Sequence, residues 1–135
     1  MHEFLKSIPG ASELFAWFGY WPDFHDAEII SLVLNRSGPS VLSIRTWHTT
    51  DQVDERGCFI KEKHVVLSFQ MEEILDLTLS NFSQQNVIYG LEISKVKQEY
   101  KLVLDPRYGL AGSIRARRLS MEVAPWPEGA PERSL

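Results

Sequence analysis

The stretch His64-Val-Val-Leu-Ser-Phe-Gln-Met71 decides the fold, because apolar and polar side chains alternate along it with a period of two. One face collects Val65, Leu67, Phe69 and Met71, and the other face is mostly polar. A strand with this pattern buries one face and leaves the other half exposed, as antiparallel sheets do. The stretch therefore predicts an antiparallel strand at the centre of the fold.

The same alternation returns on both sides of this strand. Upstream, residues 28–36 and 41–47 are joined by the turn signal Ser37-Gly-Pro-Ser40 and predict a hairpin. Residues 49–57 are polar and predict a loop, and Asp105-Pro-Arg-Tyr-Gly109 predicts a turn. No ten-residue helical pattern separates the strands, which argues against parallel crossovers. Further strands are predicted over residues 75–79, 88–94, 100–105 and 113–123.

The amino-terminal segment has a different pattern. Residues 3–8 predict a short helical turn that stops at Pro9-Gly10, and residues 12–18 predict a helix with Ser12 as N-cap and Gly19 at its end. Its buried face should hold Leu14, Trp17 and Phe18. The predicted fold is α+β: a strongly curved, mostly antiparallel sheet of about six or seven strands, with this helix packed on one face or end.

The length of 135 residues predicts one domain, over residues 1–123. Residues 124–135 form a proline-rich tail, with three prolines in its first eight residues, and should be extended or mobile. The single cysteine, Cys58, excludes a disulfide framework and is interpreted as a small core residue.

The net charge of −4 is unevenly distributed: residues 1–60 carry eight acids and four bases, and the remainder carries ten of each. An acidic chain lacks the basic field that nucleic-acid binding needs, whereas it attracts basic partners. No apolar stretch approaches the roughly 20 residues of a membrane span, and no basic leader precedes an apolar run at the amino terminus. We therefore expect a cytoplasmic protein that binds neither nucleic acid nor membrane.

The stretch Phe18-Gly-Tyr-Trp-Pro-Asp-Phe-His-Asp-Ala-Glu-Ile29 combines four aromatic rings with a histidine and three carboxylates. Such a loop is typical of an interface, in which rings anchor the partner and acids set its sign. The competing interpretation places Trp21 and Phe24 in the core. The candidate partner-binding residues are Tyr20, Trp21, Asp23, His25, Asp26 and Glu28, with a second patch of Trp47, Asp51, Asp54 and Glu55.

Two other clusters have alternative readings. His25, Asp26 and Glu28, with His48 or His64, would suit a small metal-dependent hydrolase. We favour a structural interpretation. In it, Asp26 accepts hydrogen bonds from backbone N–H groups, and His25 bonds a carbonyl or carboxylate. Similarly, an ion-paired surface is favoured over an anion site for Arg115, Arg117 and Arg118. No complete catalytic motif is present, so we predict no catalytic residue, no cofactor and no metal ligand.

Three strings carry a family resemblance. Phe18-Gly-Tyr-Trp-Pro-Asp-Phe-His-Asp-Ala-Glu-Ile29, Leu77-Thr-Leu-Ser-Asn-Phe-Ser-Gln-Gln-Asn-Val-Ile88 and Leu104-Asp-Pro-Arg-Tyr-Gly-Leu-Ala-Gly-Ser-Ile114 resemble the immunity protein 50 family of bacterial polymorphic toxin systems. The resemblance spans roughly residues 13–123. It implies a small α+β protein that binds a cognate protein toxin stoichiometrically, without turnover. Many such toxins are nucleases with basic clefts, which an acidic partner would suit. A homodimer or other structural homo-oligomer, formed through the aromatic loop or an edge strand, is the third alternative.

Overall fold

A computed structural model describes residues 3–126 of the chain. Two short helices precede six strands, and the strands contain most of the described residues. The elements are α1 (Glu3–Ser7), α2 (Ala11–Phe18), β1 (Glu28–Val33), β2 (Ser40–Val53), β3 (Phe59–Ser80), β4 (Val87–Val96), β5 (Glu99–Tyr108) and β6 (Ala111–Pro125).

The six strands form one closed barrel in the order β1-β2-β3-β6-β5-β4, and every neighbouring pair is antiparallel. The predicted α+β class, with a curved antiparallel sheet of about six or seven strands, is confirmed. Closure depends on a short seam, since β1 and β4 pair only at Glu28 and Val87. Backbone bonds beside this pair extend the seam: Ile88 N–H donates to Ala27 at 3.0 Å, and Ile29 N–H donates to Asn86 at 2.8 Å.

The longest strand, β3, is one element of 22 residues. The sequence predicted two strands here, over residues 64–71 and 75–79. A bulge between Ile74 and Asp76 explains the difference, because an extra residue shifts the alternation without ending the ladder to β6. Glu73, with φ 57°, lies in the left-handed region next to it. At and beyond the bulge, Leu75 and Leu79 are exposed, whereas Leu77 is partly buried against the core.

Three predicted boundaries also differ. β2 continues to Val53, so the loop predicted over residues 49–57 is mostly strand. β5 runs through Tyr108, so residues 105–108 of the predicted turn belong to the strand. The turn itself starts only at the end of β5. β6 extends two residues past the predicted end of the domain, because Pro125 pairs with Val65 on the edge of the ladder. Trp126 follows the strand and its N–H donates to the His64 carbonyl at 3.2 Å, and residues 127–135 of the predicted tail lie outside the described residues.

The helices cover one end of the barrel and complete its core. Leu14 and Phe18 of α2 are buried among the barrel's apolar side chains, as the pattern predicted. Trp17 is not: 36% of it is exposed, and its indole N–H donates to the Lys63 carbonyl at 2.9 Å. The N-cap is Gly10 and not Ser12, because the chain enters α2 where Met121 N–H donates to the Pro9 carbonyl at 2.7 Å.

In the described part of the chain, neither helix has the length and apolar character needed to span a membrane.

Candidate functional site

Residues 19–26, here called the aromatic loop, connect α2 to β1 and are held by local hydrogen bonds. The Asp23 carboxylate accepts the backbone N–H of His25 at 2.9 Å. Asp26 N–H donates to the Ile88 carbonyl at 3.0 Å, which ties the loop to β4. Phe24 and Asp26 both have positive φ, at 62° and 64°. The loop therefore has a fixed shape before any partner arrives.

The rings of this loop divide between the core and the surface. Phe24 is buried and packs edge-on against Phe69, with centroids 6.3 Å apart. Trp21 is half-buried between Phe15 at 5.4 Å and Phe24 at 5.8 Å. Tyr20 is 42% exposed. Phe24 is therefore a core residue, Trp21 stands at the boundary, and Tyr20 is presented outward, so the interface interpretation stays a prediction.

Tyr20 joins the aromatic loop to β2. Its hydroxyl lies 2.5 Å from Nδ1 of His48, and the two rings meet edge to face at 5.6 Å. Burial, and then the negative charge of Asp23, raise the pKa of the Tyr20 phenol. The neutral phenol is therefore favoured in the hydrogen bond with the imidazole nitrogen.

A groove of about 750 Å³ lies between the aromatic loop and the β2–β3 hairpin, and we call it the aromatic cleft. It brings together five of the six residues predicted in the first patch and one residue, Trp47, of the second. Glu28 lies apart, in a smaller adjoining pocket of about 320 Å³ that also includes Asp26 and Trp47. The cleft is lined chiefly by Tyr20, Trp21, Asp23, His25, Asp26, Trp47, His48, Phe59 and Lys61.

The other predicted acids of the second patch lie on the β2–β3 hairpin and do not line the cleft. Asp54 has a structural contact, since its carboxylate accepts the backbone N–H groups of Arg56 at 2.9 Å and Cys58 at 3.0 Å. Asp51 and Glu55 are exposed on the same hairpin. Cys58 is exposed beside them, so its predicted place in the core is wrong.

Phe59 is the most exposed large apolar residue of the cleft and was not predicted from the sequence, nor was its neighbour Lys61. It is 59% exposed at the start of β3, opposite Val53, which is 56% exposed. Residues 49–57 were predicted to be a loop, so no face was assigned to the strand that follows. The signal available in the sequence was an apolar pair, Phe59-Ile60, directly after a polar run ending in Gly57.

The carboxylates of the cleft are partly balanced by bases. Asp26 lies 3.5 Å from Arg107 and 3.6 Å from His25. The Lys61 ammonium sits 4.4 Å from the centre of the Trp47 ring, in a cation–π contact. Asp26 is therefore ion-paired with Arg107, whereas Asp23 and the hairpin acids Asp51 and Glu55 are exposed.

The comparison with protein-family models matches residues 10–124 to Immunity protein 50. The chain belongs to the immunity protein 50 family. The match covers most of the chain and includes the aromatic loop, both walls of the cleft and all six strands. Comparisons with curated proteins and with solved structures find no match for this family member.

The geometry of this immunity protein does not bring together the ligands proposed for a metal-dependent hydrolase. The His25 ring packs on Tyr89 with centroids 4.7 Å apart, and its Nδ1–H donates to the Tyr89 carbonyl at 3.3 Å. His48 is held by Tyr20, and His64 contacts Arg45 at 3.3 Å. Within residues 3–126, no three His, Cys, Asp or Glu side chains are placed to hold a metal ion.

The predicted basic cluster forms ion pairs on the surface of β6. Arg118 contacts Glu73 at 3.0 Å and Glu72 at 3.2 Å, and Arg115 lies 3.7 Å from Glu99. Arg117 is exposed on the same strand. The interpretation as an ion-paired surface is therefore confirmed for two of the three arginines.

Proposed function

We propose that this chain neutralises a cognate protein toxin in the bacterial cytoplasm by stoichiometric binding, and that the toxin occupies the aromatic cleft. The observation that carries the proposal is the convergence of six sequence-predicted contact residues, from two distant segments, on one groove. Membership of the immunity protein 50 family supports an immunity function in general. Inhibition by occlusion needs no turnover, so the absence of a complete catalytic motif in the sequence agrees with it.

The cleft has the features of a binding anchor. Tyr20 on the loop and Phe59 on the hairpin expose large rings, and Trp47 also lines the cleft. Rings of this kind bury much area at a small cost in side-chain entropy, so a few of them dominate the free energy of binding. The fixed aromatic loop lowers the ordering cost further, because its shape is set by internal hydrogen bonds.

The charge of the surface favours a basic partner. Asp23, Asp51 and Glu55 are exposed around the cleft, whereas the adjoining pocket that holds Glu28 is lined by more bases than acids. Carboxylates placed around a ring-lined groove attract and orient a positively charged surface before contact. We therefore propose a basic toxin, and a nuclease is the class whose substrate requires a basic active site.

Titration calorimetry with the toxin domain encoded beside this gene, together with a growth-rescue assay, tests the proposal. The expected result is a 1:1 complex that Phe59→Ala weakens by at least tenfold, an effect typical of an interface anchor. Phe82→Ala is the matched control, since Phe82 is an exposed ring remote from the cleft. Equal effects of the two variants, or toxin binding unaffected by Phe59→Ala, would contradict the proposal. A self-complex through the aromatic loop would also contradict it, because the cleft would be covered.

A further inference from the structure

The short seam of the barrel leaves two strand edges without a strand partner. Beyond Ile29, whose N–H donates to the Asn86 carbonyl, the described residues of β1 pair with β2 alone, up to Val33. Beyond Ile88, which is bonded to Ala27 and Asp26, the residues of β4 pair with β5 alone. An unpaired edge presents backbone N–H and C=O groups that another strand can satisfy.

The two edges differ in charge. The β4 edge carries Glu92 and Lys95, with Lys97 in the following turn, and such charges protect an edge from strand addition. The β1 edge has the sequence Ile29-Ile-Ser-Leu-Val-Leu34, without a charge or a proline. The β1 edge is therefore the unprotected one.

An apolar groove of about 530 Å³ lies beside the β1 edge, between β1 and the end of β3. None of the nine residues that line it is ionisable. Phe82 and Leu34 line this groove with 77% and 48% of their surfaces exposed, and Val33, the preceding residue on the β1 edge, is 49% exposed. An exposed apolar patch of this kind marks an interaction surface in a protein that otherwise has a charged exterior.

We propose that this patch, formed by the β1 edge, the groove and Phe82, binds a second copy of the same chain in a two-fold symmetric dimer. The patch contains both a protruding ring and an apolar groove, so it is self-complementary, as a two-fold interface must be. Two identical edge strands related by a two-fold axis meet antiparallel, which continues the ladder from one barrel to the next.

Charge also favours a second copy at this patch. Each chain carries a net charge of −4, so two copies repel wherever their acidic surfaces meet. At the uncharged groove no like charges are brought together. The apolar groove and the aromatic cleft share no lining residue, so the dimer leaves the cleft open and the inference does not depend on the proposed function.

Sedimentation equilibrium of the full chain, from low to high micromolar concentration, tests the proposal. The expected mass rises with concentration from 15.5 kDa toward twice that value. Phe82→Ser and Val33→Lys should each weaken the dimer at least tenfold. Because both side chains are exposed, the barrel should stay folded, and circular dichroism melts verify this. Val96→Lys is the matched control on the β4 edge, where 69% of the side chain is exposed, and it should leave the dimer unchanged.

Three results would overturn the inference. The first is a monomer at every concentration. The second is a dimer that neither Phe82→Ser nor Val33→Lys weakens. The third is a dimer that Val96→Lys disrupts as strongly as Val33→Lys does, which would place the contact on the charged edge.

Discussion

The hydroxyl of Tyr20 and Nδ1 of His48 are 2.5 Å apart, which joins the aromatic loop to β2 at the wall of the cleft. The two residues are 28 positions apart in the chain. The contact sets the position of an exposed ring that we assign to toxin binding. The strength of the contact between Tyr20 and His48 should therefore be measurable in the free protein as well as in the complex.

The stability of the protein should fall in alkaline solution because of Tyr20. Burial, and then the charge of Asp23, raise the folded-state pKa above the ordinary value of 10.0. The neutral phenol thus stabilises the fold below about pH 10, and this contribution is lost as the pH rises through the raised pKa. Urea unfolding at pH 8 and pH 11 should show a smaller loss in Tyr20→Phe than in the wild type. An equal loss in both proteins would show that Tyr20 is not responsible, and Tyr108→Phe, at an exposed ring, serves as the control.

Asn86 should be a stability determinant of the β3–β4 connection. Its buried side-chain oxygen accepts the N–H groups of Ser83 at 3.0 Å and Leu110 at 2.9 Å, and its amide donates to the Ser83 carbonyl at 2.7 Å. Asn86→Ala removes the side-chain amide that makes these three hydrogen bonds and leaves a buried backbone N–H without an acceptor. The free energy of unfolding should fall by about 2–4 kcal/mol. Chemical denaturation measures the loss. Gln84→Ala, on the exposed part of the same connection, should change the free energy of unfolding by less than about 0.5 kcal/mol.

Gly10 and Gly19 form a matched pair that measures how tightly the helices are docked on the barrel. Both lie in the left-handed region, with φ of 90° and 82°. A Cβ on Gly10 would overlap the Met121 carbonyl oxygen, whereas a Cβ on Gly19 would meet nothing within 4 Å. Gly19→Ala should therefore cost only the backbone strain of about 1–2 kcal/mol, and Gly10→Ala clearly more. Equal losses in thermal or urea unfolding would contradict the close approach of α2 to β6.

Salt should affect the binding of a basic toxin mainly through the association rate constant. Exposed acids around the cleft steer a positively charged partner, and salt screens this attraction over roughly 10 Å at 0.1 M. Stopped-flow measurements should show an association rate that falls strongly between low and physiological salt, with a smaller change in dissociation. The double variant Asp51→Asn/Glu55→Gln should reduce the salt dependence, and Glu122→Gln on β6 should not. A salt-independent rate would argue against steering.

Much of the fold follows from the period-two alternation. The strands around Leu67, Leu102 and Met121 were predicted because each buries alternate side chains on one face. Closure of the sheet and the length of β3 were not predictable, because a bulge beside Glu73 breaks the pattern while the ladder continues. Similarly, Trp17 has the helical spacing of a buried residue and was predicted to be buried. It is partly exposed instead, because its indole N–H donates to the Lys63 carbonyl.

The candidate site was predictable in its loop and less so on its hairpin. Tyr20, Trp21 and His25 stood out because rings and charges are concentrated in one short stretch. Trp47 was named in a separate patch, and only the pairing of β2 with β3 places it in the same cleft. Phe59 had no local signal of comparable strength, since its exposure arises from the extension of the hairpin beyond the barrel.

Hydrogen exchange of the free protein and of its complex with the neighbouring toxin tests the central claim most directly. We predict that binding protects the backbone N–H groups of the cleft-lining residues in three segments: 20, 21, 23, 25 and 26 of the loop, 47–49 of β2, and 58, 59 and 61 of the hairpin. The amides of β4 and β5 should exchange at the same rate in both states. Protection confined to β4 and β5, with the cleft amides unchanged, would contradict the account.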